Sequence, residues 1–233
     1  MARRREQDPG ALTRRYQLNI AFLAAIGVVA ALAPVLDPGV TYADLGLTSP
    51  TTPEFPWMVG YAMAIAVAVT VRLRVDRRRA RRGARVRGER LRRRLAALHP
   101  ATARERWYAA GLAVTAGVAE EVAFRGLLIA VAVGLFHLSV VWAATTALVV
   151  FAWAHLYQGV LGALNAAMLG GVLTYLYLLS GTIWVAIAVH VLWDLAVLLL
   201  VPRLLAVPPD SPASAAVATT DPVAVTPAVP SVG

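Results

Sequence analysis

The stretch Glu120-Glu121-Val122-Ala123-Phe124-Arg125-Gly126 lies inside a run from Trp107 to Phe136 that is otherwise almost wholly apolar. An ionisable side chain placed in hydrocarbon costs several kcal/mol, so it marks a functional site with a partner nearby. Here three such groups fall within six positions. The run is 30 residues long, against the roughly 20 needed to cross a bilayer. It must therefore tilt, kink or break, and the break is expected near the acid pair.

Hydrophobic residues make up 59% of the 233-residue chain and charged residues 15%, so a water-soluble fold would expose an implausible apolar area. The expected fold class is all-α, a polytopic membrane helix bundle. There is no cysteine, which excludes disulfides, thiolate nucleophiles and Cys-based zinc sites. Any metal must be held by His, Asp or Glu.

The formal net charge is +9, and every basic residue is Arg. Residues 1–17 form a basic arm. Residues 18–71 hold two apolar spans, Leu18 to Val35 and Trp57 to Val71, joined by a loop with three acids and no base. Residues 72–106 carry most of the arginines. Basic excess in short loops marks the cytoplasmic side, which places the arm and the Arg-rich loop inside and the acidic loop outside. Pro34 directly after Ala31-Leu32-Ala33 should obstruct a signal peptidase, so the first span is expected to stay as an anchor.

Leu91, Leu95 and Leu98 recur at helical spacing among the arginines, the pattern of a segment lying on an anionic lipid leaflet. With no aromatic interleaving and no fold of its own, this loop is not expected to bind nucleic acid. Four further segments follow: Trp107 to Phe136, Leu138 to Leu156, Val160 to Leu179, and Thr182 to Val201. The expectation is thus about six spans with both termini cytoplasmic, a helical core over 107–203, and a disordered tail over 204–233. In the fifth span Gly162, Ala166 and Gly170 recur at i, i+4, as do Ala163, Ala167 and Gly171, two small-residue faces for close helix packing.

On a helix Glu120 and Glu121 point about 100° apart, so they cannot do the same job. Glu121 and Arg125 can pair on one face, acid first, which leaves Glu120 unpaired. Among the spans the remaining ionisable residues are His155, one turn after Phe151, and His190, one turn before Asp194. Phe151 is placed to wall the imidazole of His155. Asp194 is placed to fix the tautomer of His190 or to join it as a ligand. Counting along the spans puts Glu120 and His190 near mid-membrane and His155 nearer the inner face. His99 and His137 fall in a basic loop and at a span junction, and they read as structural.

The three motifs EExxxR, FxxxH and HxxxD, in this order on three hydrophobic segments, resemble the CAAX-protease and bacteriocin-processing family of intramembrane endopeptidases, also called the Abi family. The resemblance covers about residues 107–201. It implies that Glu120 activates a water against a peptide carbonyl, that Glu121 and Arg125 support it, and that His155 and His190 bind a divalent metal or stabilise the oxyanion. Two histidines plus one carboxylate would leave an open water position, the arrangement of a catalytic zinc. Asp194 stands where eukaryotic members more often carry Asn, and its charge favours a cation.

The substrate implied is a membrane-associated peptide or protein. Prenylated C-termini, the eukaryotic family substrate, are not carried over to a chain whose compact membrane architecture looks bacterial, with a plasma-membrane location. Two other classes share the residue inventory. One is a non-catalytic member that binds a partner membrane protein or confers bacteriocin immunity. The other is a proton-coupled transporter, against which stands the lack of an inverted repeat.

Overall fold

The computed structural model of the protein describes residues 10–49, 60 and 100–200. Among them every regular element is helical. The expected second span, all but the last residues of the Arg-rich loop, His99, and the tail beyond Leu200 lie outside the described residues.

Helix α1 spans Ala11–Ala31 and a short α2 spans Ala33–Leu36. The first helix thus begins well before the Leu18 expected from hydropathy, because Tyr16 is already buried against the bundle. The chain re-starts at α2 with Pro34 in the first turn, where its missing N–H has no intrahelical role.

Helix α3, Ala103–Glu120, is launched by a capping box. Thr102 Oγ1 accepts from the Glu105 N–H at 3.1 Å, and Glu105 Oε2 accepts from the Thr102 N–H at 3.0 Å. At the acid pair the winding changes. Glu121–Leu128 is π-helical, and α-helix resumes as α4, Ile129–Gly134. The break expected in the over-long run is therefore a change of helix type placed on the motif itself. Such π segments are rare and recur at functional sites.

Helices α5, Val140–Ala154, and α6, Val160–Ser180, form a hairpin through a 3-10 turn at Leu156–Gln158 and Gly159. Gly159, at φ 85° and ψ 169°, occupies backbone space open essentially to glycine alone. After Gly181 in the left-handed conformation, α7 runs from Ile183 to Leu195 and ends in a second π segment, Ala196–Leu200. Val140–Gln158 and Val160–Ser180 are long and apolar enough to cross a membrane. Trp142, Trp153, Leu161, Leu164 and Met168 stand exposed on these two stretches, as lipid-facing positions do.

Helices α1 and α3 run the same way. Gln17 Nε2 donates to Tyr108 Oη at 2.8 Å near their starts, and Gly27 abuts Ala119 near their ends. Helix α7 runs against α3, with Val191 seated on Gly117 and with Val122, Ile183, Ile187 and Ala30 in one apolar cluster. The loop after α2 folds over the start of α7. Gly46 O accepts the Ile183 N–H at 3.0 Å, Thr182 Oγ1 donates to Thr48 O at 2.8 Å, and Leu45 is wholly buried. Gly126 permits that seat, since a Cβ there would lie 3.0 Å from Leu45 O.

Candidate active site

The π segment, the end of α5 and the middle of α7 bring their ionisable side chains to one place. Glu121 and Arg125 form the buried base of the site, 0% and 1% exposed. Arg125 Nη1 donates to Glu121 Oε1 at 2.9 Å, the i, i+4 pair expected from spacing. The same oxygen lies 2.7 Å from His190 Nδ1. A carboxylate already paired with a guanidinium can only accept there, so Nδ1 of His190 carries the proton. Glu121 Oε2 is buried and has no hydrogen-bond partner among the described residues.

His155 reaches the same place from α5. It is the residue on which that helix stops, and its Nδ1 lies 2.8 Å from the carbonyl of Phe151. A carbonyl only accepts, so this Nδ1 is also a donor. The shallow position counted along the fourth span is reconciled in this way: α5 ends at the level of the site, so that a terminal side chain and a mid-helix His190 meet. Phe151 walls His155 as expected, with ring centroids 4.5 Å apart, and it also lies under the Arg125 guanidinium at 4.3 Å.

Glu120 faces away from the Glu121–Arg125 pair. Its Oε2 stands 3.9 Å from His155 Nε2 and 3.9 Å from His190 Nε2. Asp194 Oδ2 is 3.8 Å from the same His190 Nε2. Asp194 therefore does not set the tautomer of His190, one of the two roles its spacing allowed. Glu121, adjacent to the catalytic candidate in sequence but on another face, does that instead. Side-chain exposure rises in order from Glu121 and Arg125 through His190 to Glu120 and His155, both at 15%, and then Asp194 at 27%. This gradient describes a site sealed at its base and open toward Asp194.

Both imidazoles turn Nε2 inward, and with Glu120 and Asp194 they make a set of two nitrogens and two carboxylates whose chemistry suits a divalent cation. The set is drawn open. The 3.8 and 3.9 Å separations exceed the roughly 3.3 Å between two ligands of one tetrahedral zinc. Among the described residues no three His, Asp or Glu side chains close into a metal-holding group. His137 takes no part. It sits in the turn after α4 with φ 53°.

Two residues of the site carried no chemical signal in the sequence. Gly170 O accepts from Arg125 Nη2 at 3.1 Å, and Thr174 Oγ1 lies 3.4 Å from Arg125 Nε. Gly170 belonged to one of the small-residue faces, which pointed to helix packing and not to a guanidinium.

Residues 102–196 match the family model described as type II CAAX prenyl endopeptidase Rce1-like. The match begins at the N-cap of α3 and ends just beyond α7, so it contains every site residue above. No curated protein and no solved structure matches the chain.

Proposed function

We propose, for a chain that over residues 102–196 belongs to the type II CAAX prenyl endopeptidase Rce1-like family, that it is an intramembrane endopeptidase hydrolysing a peptide bond in a membrane-associated peptide or protein. The observation that carries this reading is the position of Glu120. Its carboxylate is free of the Glu121–Arg125 pair and equidistant, at 3.9 Å, from two Nε2 atoms contributed by different helices. A water held there has a base on one side and two electrophilic or ligating groups on the other.

In the reaction, Glu120 takes a proton from the water as its oxygen adds to the substrate carbonyl. Negative charge then develops on the carbonyl oxygen beside His155 and His190. Glu120 returns the proton to the departing amine as the C–N bond breaks, which leaves a carboxylic acid and an amine, restores the base, and lets the acid's proton pass to the amine or to solvent. Glu121 and Arg125 touch no reacting atom and act by holding His190.

His155 and His190, with Glu120 or Asp194, would hold a divalent metal, zinc by ligand type. When bound, such a cation supplies an acidified water and a Lewis acid for the carbonyl. The tautomers support this version. Both Nδ1 atoms are already spent as donors, so a neutral ring has only a lone pair to offer at Nε2. In that form it ligates a cation, and it donates to an oxyanion only as imidazolium.

A multi-pass placement in the membrane is part of the same reading, with the Arg-rich loop against anionic lipid. The test is a comparison of protein termini in membrane fractions from cells carrying wild type or Glu120→Gln. Termini that appear only with wild type are expected. Identical profiles in the presence of correctly inserted protein would remove the endopeptidase assignment.

A further inference from the structure

Helix α6 carries none of the three motifs, yet it holds the centre of the site. Arg125 is 1% exposed, and its guanidinium is fixed in three directions. Nη1 donates to Glu121, Nη2 donates to the Gly170 carbonyl at 3.1 Å, and Nε faces Thr174 Oγ1 at 3.4 Å. Phe151 covers its face at 4.3 Å. A guanidinium is a rigid planar fork, so fixing its two edges fixes the direction in which Nη1 meets the carboxylate.

Glu121 has little else to orient it. Its Oε1 takes both Arg125 and His190, while Oε2 has no partner among the described residues. The angle of the His190 ring, and with it the aim of Nε2 toward Glu120, is therefore handed on from α6 through Arg125 and Glu121. We propose that Gly170 and Thr174 are positioning residues of the catalytic site, setting the His190 imidazole through the Arg125–Glu121 pair.

The glycine is required by the same geometry. A Cβ at position 170 would lie 2.9 Å from Arg125 Nη2, 2.9 Å from Leu148 Cδ1 and 3.0 Å from Phe151 Cδ1. Any side chain there displaces the guanidinium or the ring beneath it. Thr174 is buried at 8% exposure, so its hydroxyl has no solvent to turn to and stays on the guanidinium edge.

The orientation of His190 is independent of what the site hydrolyses, and it can be read without a substrate. The chain has four histidines, so the ring resonances of histidine-labelled protein in detergent can be assigned by loss of one signal in His190→Asn. The Nδ1–H proton of His190, bonded to Glu121, is expected far downfield in wild type. Thr174→Ser should leave it in place. Thr174→Val and Gly170→Ala should shift or broaden it, and neither should add to the change already produced by Arg125→Met.

On whichever membrane peptide the Glu120 comparison identifies, the same two variants should lose about tenfold in kcat with KM retained, the usual scale for a residue that orients a ligand or base. A His190 signal unmoved in both Thr174→Val and Gly170→Ala would overturn the assignment. So would effects that add in full to Arg125→Met, since they would then bypass the guanidinium. A purely structural role would lower the unfolding midpoint and leave the Nδ1–H signal where it is.

Discussion

His190 Nδ1 and Glu121 Oε1 stand 2.7 Å apart, although the two residues are 69 positions apart in the chain and the oxygen is already bonded to Arg125. One carboxylate oxygen thus joins the π segment to α7. Its neighbour Glu120 faces Nε2 of His155 and of His190 instead, so two adjacent acids of identical chemistry take different parts, one tied to Arg125 and His190 and the other, in the function proposed above, the base.

That division predicts different costs for the same substitution. Glu121→Gln leaves the buried Arg125 guanidinium uncompensated and should cost about 3 kcal/mol or more of stability. Glu120→Gln, at a side chain 15% exposed and outside the ion pair, should leave the unfolding transition in detergent within about 1 kcal/mol of wild type. Equal losses in the two variants would contradict the roles assigned.

Metal content separates the two versions of the chemistry. Purified wild type is expected to hold one divalent metal per chain, and His155→Ala and His190→Ala should each lower occupancy, because each removes an inward Nε2. Stoichiometric metal that survives both substitutions would remove the two histidines as ligands.

Two glycines test the seat of the loop. Gly126→Ala places a methyl 3.0 Å from Leu45 O, a backbone atom that cannot swing aside, and should destabilise the protein by about 1–3 kcal/mol. Gly134→Ala meets nothing within 4 Å and lies in helix, so it should be neutral or stabilising by up to about 1 kcal/mol. Thermal unfolding of both variants beside wild type provides the comparison.

Asp44 makes the same loop sensitive to acid. The Thr41 hydroxyl donates to its Oδ2 at 2.6 Å and the Thr41 N–H at 2.8 Å, and these bonds hold the carboxyl below its ordinary value. Folding then favours the ionised form. The contribution is full above the unfolded value of about 3.9 and is lost as pH falls through the lowered folded value. Amide exchange at Thr41 should accelerate in that acid window in wild type, whereas in Asp44→Asn it should be fast already at neutral pH.

Sidedness is open to a clean probe because the chain has no cysteine. Single cysteines at the exposed positions Pro38 and Arg104 should label with an impermeant maleimide from opposite faces of the membrane, Pro38→Cys from outside. Labelling of both from one face would break the proposed arrangement of spans.

Much of the site was legible before any coordinates. Charges are so costly in an apolar helix that Glu120, Glu121, Arg125, His155, His190 and Asp194 declared themselves by location alone. Spacing of four also paired Glu121 with Arg125 and Phe151 with His155, since such contacts lie within one helix. The family match over residues 102–196 agrees with the resemblance those motifs carried.

Contacts between helices were not legible. Nothing local in the chain says that Glu121, and not Asp194, orients His190, that α5 stops where His155 is needed, or that Gly170 and Thr174 clasp Arg125. Each depends on how far one helix lies from another and how it is rotated. That is set by close packing at Gly27, Gly117 and Gly170 and by the π winding of residues 121–128. The chemical vocabulary belongs to single residues and is carried by the chain itself. Which of those residues face one another is a property of packing, and only the assembled bundle decides it.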